Sequence, residues 1–167
     1  MVDIVEKSVR SKMMSSIRGK NTKPEMLLRR FLHARGYRYR LHVRALPGSP
    51  DLVLRKFNLI IFVHGCFWHQ HDGCRYAYTP DEKRDKWQEK FAGTLQRDKS
   101  HLSQLMGAGW RVFIIWECGL TKGKPVRSLD WLPGAIADME IQFIDWPTPY
   151  SDDVNQLSIN ASGKCHI

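Results

Sequence analysis

The sequence of 167 residues lacks an apolar run long enough to cross a membrane. Its apolar runs, such as "LIIFV" at 59–63, are far shorter than the roughly 18 residues that a spanning helix needs. The N-terminal segment also lacks the apolar stretch of a secretory signal, and Asp3 and Glu6 argue against an organelle transit peptide. We therefore expect a cytoplasmic protein with no membrane partner.

Acidic residues and cysteines are both scarce. The 17 acidic residues stand against 26 basic ones, which leaves a net charge of +9 and favours a polyanionic partner, with nucleic acid as the first candidate. Only 4 cysteines are present, and in a reducing cytoplasm they are better interpreted as metal ligands or buried thiols than as disulfides. The chain length corresponds to about one domain.

Charge and apolar patterning divide the chain into a basic arm at 1–20, a folded domain at 21–146 and a loose, apolar-poor tail at 147–167. For the domain we predict a mixed α/β sheet flanked by helices, in the order helix, three strands, loop, helix, strand and helix. Alternating or continuous apolar residues predict the strands at 37–43, 51–54, 59–63 and 110–117.

Three helices are predicted. The first has a capping-box pattern of Thr22 and Glu25 and ends at Gly36. A third helix, broken near Pro133, is predicted after the last strand. The second, at 83–107, is amphipathic, and its expected buried face consists of Phe91, Leu95, Leu102, Leu105 and Met106.

The segment "HGCFWHQHDGC", residues 64–74, concentrates potential metal ligands. Cys66, His71 and Cys74 have spacings that can close a tetrahedral structural zinc site, and Gly73 allows the loop to turn back. A fourth ligand must come from elsewhere. Cys118 is suited to this role if the strand before it lies in the same sheet as "LIIFV", whereas Cys165 lies in the predicted tail.

Two other interpretations of this segment stay open from spacing alone. The residues can be ordinary thiols and solvated histidines. Alternatively, His64, His69 and His71 can hold a catalytic zinc with a free position for water. The two thiolates already within the loop favour the closed structural site.

Three carboxylates are expected to border the apolar sheet. Asp51 begins a strand, Glu25 shares a helix face with apolar residues, and Asp98 interrupts the stripe of the second helix. Each also has a simpler explanation: a turn cap for Asp51, the capping box for Glu25, and a pair with a buried histidine or arginine for Asp98. Together with His64 and His69, these acids supply what metal-assisted phosphodiester hydrolysis needs.

The motifs "LPGSPDLV", "IIFVHGCFWHQH", "RD" at 97–98 and "GWRVFIIWEC" together resemble the very short patch repair endonuclease family, from about residue 11 to residue 118. That family nicks DNA at T:G mismatches. The resemblance implies a restriction-endonuclease-like core with a structural zinc site. Residues from 119 onward carry no recognisable motif of the family.

The resemblance also implies roles for individual residues. Asp51 and the backbone carbonyl of Val63 would bind Mg²⁺, and His69 would be the general base, oriented by Asp98. His64 and Glu25 would support the reaction through the phosphate and metal-bound waters. The zinc ligands would be Cys66, His71, Cys74 and Cys118. The residues that wedge into DNA beside the mismatch would be Met14, Phe67, Trp68 and Trp87.

Two departures from the family pattern are visible. Val63 stands where familiar members have a hydroxyl residue, which is harmless if only the backbone carbonyl contacts the metal. Two residues, Asp72 and Gly73, separate His71 from the next cysteine, one more than the pattern has.

The function expected from these observations is a monomeric, Mg²⁺-dependent and zinc-stabilised endonuclease in the bacterial cytoplasm, associated with the nucleoid. Its substrate would be double-stranded DNA with a T:G mismatch left by deamination of 5-methylcytosine, and mismatch-repair proteins would be further partners. A restriction-type endonuclease that cuts intact duplex is one alternative. A non-catalytic, zinc-stabilised DNA-binding module is the other, although it would not need the carboxylates.

Overall fold

The computed structural model describes residues 19–120 and 129–147. The predictions for most of the basic arm, including Met14, and for nearly all of the tail lie outside the described residues. Among those described, the strands form one mixed sheet with the order β1-β2-β3-β4-β5. The strands are β1 (Arg40–Leu41), β2 (Leu52–Leu54), β3 (Leu59–His64), β4 (Arg111–Trp116) and β5 (Phe143–Trp146).

The first three strands pair antiparallel, whereas β3 with β4 and β4 with β5 pair parallel. A short 3₁₀ turn, Arg55–Phe57, joins β2 to β3. The parallel pairs need longer crossovers, and a helix supplies the one between β3 and β4. The predicted mixed α/β fold is therefore confirmed.

The helices are α1 (Lys23–Ala34), α2 (Arg84–Gly107), the short α3 (Glu117–Leu120) and α4 (Leu132–Ala137). The predicted capping box is present at the start of α1, where the Thr22 hydroxyl accepts from the Glu25 N–H and the Glu25 carboxylate accepts from the Thr22 N–H. No described helix is both long and apolar enough to span a bilayer.

Apolar side chains cover both faces of the sheet, because successive residues of a strand point to opposite sides. On one face Leu52, Ile61 and Phe113 pack with Leu28 and Leu32 of α1. On the other face, the buried residues are Val53, Ile60, Val112 and, from α2, Leu105. The sheet is therefore held between α1 and α2.

Two predicted elements are smaller or less buried than expected. The strand predicted at 37–43 is only two residues long, because His42 has a left-handed backbone with φ of 47° that ends it. Leu41, expected to face inward, is 42% exposed. In α2, Phe91 and Leu105 are buried, but Met106 is exposed, and so is Leu95, which lines an open cavity.

The region after β4 differs most from the prediction. Pro133 does not break a helix but lies in the first turn of α4, where a proline costs no hydrogen bond. The strand β5 was missed, because it is only four residues long, includes Asp145 and has only Ile144 buried. Arg111, only 2% exposed, holds this region to β4 by donating to the carbonyls of Ala135, Asp138 and Ile141.

Candidate active site and metal centre

The parallel pairing of β3 and β4 brings their C-terminal ends together, with His64 in register with Trp116. The loop of residues 65–83 leaves β3 at this edge. Beside it lies a cavity of about 670 Å³. Most of the predicted catalytic residues line this cavity, namely Asp51, Val63, His64, His69 and Asp98, together with His42.

Asp51 stands directly before β2, and its side chain crosses to β3. Its Oδ2 accepts a hydrogen bond of 2.7 Å from the Val63 N–H, and its Oδ1 lies 3.7 Å from His42 Nδ1. Burial raises the pKa of Asp51 to about 6, although the Val63 hydrogen bond acts in the opposite direction. A partly buried carboxylate beside a roomy cavity suits a hard divalent cation, which prefers oxygen ligands and retains several waters.

His69 and Asp98 form a close pair, with 2.6 Å between Nδ1 and Oδ2. Burial acts to raise the pKa of Asp98, but the hydrogen bond from His69 and the nearby imidazoles outweigh it, so that the pKa is lowered. An ionised Asp98 accepts only, which assigns the His69 proton to Nδ1 and leaves Nε2 free to accept.

His64 stacks on His69, with ring centroids 3.8 Å apart and planes within 8°. Burial, reinforced by His69, lowers the pKa of His64 to about 3, so its ring is neutral. The imidazole of His64 can therefore take part in hydrogen bonds at neutral pH without placing a positive charge against His69.

Glu25 is 2% exposed and does not itself line the cavity. Its Oε2 accepts from Arg29 Nη2 at 2.9 Å and lies 3.7 Å from His42 Nε2. Glu25 closes the predicted capping box, and it also approaches Asp51 through the imidazole of His42. The donor atoms of Glu25, His42 and Asp51 lie within 4.8 Å of one another.

His42 is the residue at this site that the sequence interpretation missed. The alternation of apolar and polar residues in "YRYRLHV", residues 37–43, predicts that the His42 side chain lies on the solvent-facing side of a strand. In the structure it follows the last residue of β1, and its N–H donates to the Asp51 carbonyl at 3.4 Å, one position beyond the pair of Leu41 and Leu52. The sequence signal that could have found it is the turn between 43 and 51, because antiparallel pairing of 37–43 with 51–54 brings position 42 opposite Asp51.

The four predicted zinc ligands, Cys66, His71, Cys74 and Cys118, lie together, and their donor atoms are within 4.8 Å of one another. The His71 Nδ1 is 3.7 Å from Cys66 Sγ and 3.5 Å from Cys118 Sγ. Around a tetrahedral zinc with bonds of about 2.3 and 2.0 Å, sulfur and nitrogen ligands would be roughly 3.6 Å apart. The donor set and its spacing therefore fit a closed metal site.

The surroundings of this cluster orient its histidine. The His71 Nε2–H donates to the Pro147 carbonyl at 3.0 Å, which leaves Nδ1 directed at the thiols, and the ring stacks on Trp116 at 4.1 Å. A hydrogen bond with Cys118 and burial raise the pKa of the Cys66 thiol, a preference that a bound cation would reverse. Gly73, with φ of 63°, accommodates the extra loop residue.

Phe67, Trp68 and Trp87 are brought together in an aromatic cluster at the start of α2. The centroid of Phe67 is 5.2 Å from that of Trp68 and 5.4 Å from that of Trp87. Each ring remains partly accessible. Tyr78, which was not predicted, extends the cluster at 5.3 Å from Phe67 and is 63% exposed.

Comparisons with known proteins identify relatives of this chain. The sequence model of the family described as DNA mismatch endonuclease Vsr matches residues 2–75. The DNA mismatch endonuclease Vsr of Escherichia coli is 39% identical over 148 residues, which are 84% of this chain and 94% of that protein. Two type II nicking enzymes are also similar. V.XorIIP of Xanthomonas oryzae is 43% identical over 72% of this chain and 88% of its own length. V.NmeAIP of Neisseria meningitidis is 41% identical over 72% of this chain and 85% of its own length.

These relatives are matched over most of their length and well above the identity at which a common fold is in doubt. The resemblance predicted from the sequence motifs is thereby confirmed. The chain belongs to the DNA mismatch endonuclease Vsr family.

Proposed function

We propose that this protein is an endonuclease that nicks one strand of DNA beside the thymine of a T:G mismatch. The mismatch would arise by deamination of 5-methylcytosine, and the nick would start very short patch repair. The observation that carries the proposal is the hydrogen-bonded pair of His69 and Asp98, which lines the same cavity as Asp51. The names and high coverage of the relatives support it.

Asp51 and the backbone carbonyl of Val63 would hold Mg²⁺. When bound, the ion would stabilise the negative charge that develops on the attacked phosphate. The cavity walls leave room for metal-bound waters, and His64 and Glu25 would act on those waters and on the phosphate. The assignment is supported by the Asp51 Oδ1, which accepts no hydrogen bond from any described residue and is thus available as a ligand.

His69 would act as the general base. Its Nδ1–H is committed to Asp98, so Nε2 can accept the proton of the attacking water, and the Asp98 carboxylate stabilises the imidazolium that forms. His64, stacked beside it and neutral, would supply a hydrogen bond to the phosphate. A protonated, positively charged His64 would instead oppose protonation of His69.

Cys66, His71, Cys74 and Cys118 would hold a structural zinc. Such an ion contributes folding free energy directly, and here it would tie the loop after β3 to the end of β4. Side chains at the ends of both strands, His64 of β3 and Trp116 of β4, line the cavity. A rigid connection between these strand ends would therefore help to fix the catalytic geometry.

Phe67, Trp68 and Trp87, with Met14 from the arm, would insert beside the mismatch. Unstacking a base step costs a few kcal/mol and costs least where pairing is already weakened, which gives a physical source for mismatch preference. The partly accessible rings of the aromatic cluster support this role.

The remaining features belong to the same proposal. The described sheet and helices would form the restriction-endonuclease-like core of a domain at 21–146, with a DNA-binding basic arm at 1–20 and a loose tail at 147–167. The net charge of +9 supports binding to the DNA backbone. The enzyme would be a monomer in the cytoplasm, associated with the nucleoid, and mismatch-repair proteins would be its partners.

The test is a panel of end-labelled duplexes, fully paired or with one T:G mismatch in several sequence contexts, incubated with Mg²⁺ and resolved on a denaturing gel. We expect a nick in the mismatched duplexes only, on the thymine strand. His69→Ala should abolish it, whereas His33→Ala, an exposed histidine on α1, should not. Cleavage of paired duplexes would instead favour a restriction-type enzyme, and binding without cleavage a non-catalytic module.

A further inference from the structure

Arg29 is a buried cation next to the proposed catalytic site, and its side chain is 8% exposed. Its Nη2 donates to Glu25 Oε2 at 2.9 Å, and its Nη1 donates to Asn21 Oδ1 at 2.6 Å. The Asn21 N–H in turn donates to the same Glu25 oxygen at 3.0 Å. These contacts fix the guanidinium plane at the start of α1.

The same Nη2 lies 2.8 Å from His42 Nε2. A guanidinium only donates hydrogen bonds and does not lose its proton in proteins, so His42 Nε2 must be the acceptor. The proton of the neutral ring then resides on Nδ1, and Nδ1 is the nitrogen that faces Asp51 Oδ1 at 3.7 Å. The tautomer of His42 therefore follows from its contact with Arg29.

We infer that His42, locked by Arg29 with its proton on Nδ1, is a positioning residue for Asp51. This inference rests on the proposed function, in which Asp51 binds the metal. The Val63 N–H fixes one carboxylate oxygen at 2.7 Å, and the His42 Nδ1–H constrains the other by its dipole. At 3.7 Å this contact is longer than a full hydrogen bond, and contacts of this kind tighten when metal and substrate enter.

The alternative role for His42 is that of a metal ligand, since it lies between two carboxylates. A ligating Nδ1 must be unprotonated, which would move the proton to Nε2 and set two donors against each other 2.8 Å apart. The guanidinium charge, 2.9 Å from Glu25 Oε2, would also repel a cation bound between Glu25 and His42. Arg29 thus favours the positioning role over ligation.

The first test reads the tautomer directly and needs no activity. Long-range ¹H–¹⁵N spectra of the full chain, with His42→Asn to assign the ring, should show the Nδ1–H tautomer at neutral pH, and Mg²⁺ should not change it. Arg29→Met should shift the ring toward the other tautomer, whereas Arg30→Met, an exposed neighbour on α1, should have no effect. An Nε2–H tautomer in the wild type, or a switch to it with Mg²⁺, would overturn the inference.

The second test measures metal affinity and turnover. His42→Leu should weaken Mg²⁺ binding by calorimetry, and lower kcat on the T:G duplex, by about 10- to 100-fold, the usual effect of losing a residue that orients a metal ligand. KM for DNA should not change. His42→Asn, whose side-chain amide can donate from the position of Nδ1, should restore most of both.

The control is His33→Leu, which should match the wild type in every measurement. If the wild type nicks mismatched DNA but His42→Leu keeps normal Mg²⁺ affinity, the positioning role is wrong and the proposed function stands. If the wild type does not nick at all, the proposed function is wrong. The tautomer measurement then still decides whether Arg29 controls His42.

Discussion

Two groups of side chains share the loop after β3, and they differ in donor atoms and in access to solvent. The first group is the four proposed zinc ligands, and three of their four donor atoms are sulfur. Two of them, Cys66 and His71, are 0% and 4% exposed. His69 and Asp98, whose side chains are 27% and 26% exposed, face the cavity with nitrogen and oxygen. Only one residue, Gln70, separates His69 from His71, and yet His69 faces the cavity whereas His71 lies among the thiols.

Burial and donor chemistry, rather than residue type, therefore separate the two sites. A closed set of thiols and one imidazole suits a zinc that never exchanges a ligand, whereas an open cavity with a carboxylate and a carbonyl suits a hydrated ion that must meet a substrate. If this division is correct, substitutions in the two groups should produce different kinds of failure.

The largest effect is expected from Asp51→Ala. Removing the proposed metal-binding carboxylate should lower nicking of the T:G duplex by several orders of magnitude, because no other described carboxylate contacts the Val63 backbone. Mismatch binding in a gel-shift assay should remain, and zinc content should be unchanged. Full activity in this variant would disprove the assignment of the metal site.

Cys74→Ser should instead act on stability. Loss of one thiolate should release zinc and cost several kcal/mol of unfolding free energy, and each kcal/mol corresponds to about 2–4 °C in Tm for a domain of this size. Metal analysis and thermal unfolding measure the two effects. Cys165→Ser, in the predicted tail, is the matched control, and an equal Tm with and without a strong zinc chelator would contradict the prediction.

Asp51→Asn should stabilise the protein in the absence of Mg²⁺. Because burial raises the pKa of Asp51 from 3.8 to about 6, the folded state retains a proton that the unfolded state releases between these values. Wild-type stability should therefore fall by up to about 3 kcal/mol as the pH rises through this window, since one pKa unit is about 1.4 kcal/mol. The variant should be the more stable protein at about pH 7.5, and the difference should vanish near pH 4 in chemical denaturation. Equal stability at neutral pH would contradict the burial argument.

The smallest effect is expected from Trp68→Ala, because Trp68 belongs to the aromatic cluster and is not a proposed metal ligand. It should weaken binding to the mismatched duplex by about 1–3 kcal/mol, the usual contribution of one stacked base. Affinity for paired duplex, zinc content and Tm should stay close to the wild type in fluorescence anisotropy and thermal unfolding. Equal losses on both duplexes would assign Trp68 to general DNA binding.

Much of the fold could be predicted from the sequence, because the signals were local. The capping box fixes the start of α1, and the apolar runs fix β3 and β4. β5 could not be predicted in this way, since its burial depends on lying beside β4 and not on a pattern of its own. The exposure of Leu95 likewise depends on the cavity that it lines, which distant segments form together.

The candidate site shows the same limit. Spacing within one loop was sufficient to group Cys66, His71 and Cys74, while Cys118 joined them only because β3 and β4 turned out to be parallel neighbours. The role of His42 depends on hairpin register and on one left-handed residue, and neither is encoded in alternation. Contacts between distant segments are therefore where residue patterns stop being informative.

The parallel pairing of β3 with β4 also has a consequence for folding on the ribosome. The Cys66 N–H donates to the Glu117 carboxylate across 51 positions of sequence, so this contact closes a long loop. Long-range closure is slow, and it cannot begin until the later strand has left the exit tunnel. A nascent chain that already carries Asp51, His64 and His69 still lacks the strand that aligns them. We therefore expect nuclease activity to arise only after β4 has been synthesised, which protects DNA from an incompletely assembled enzyme.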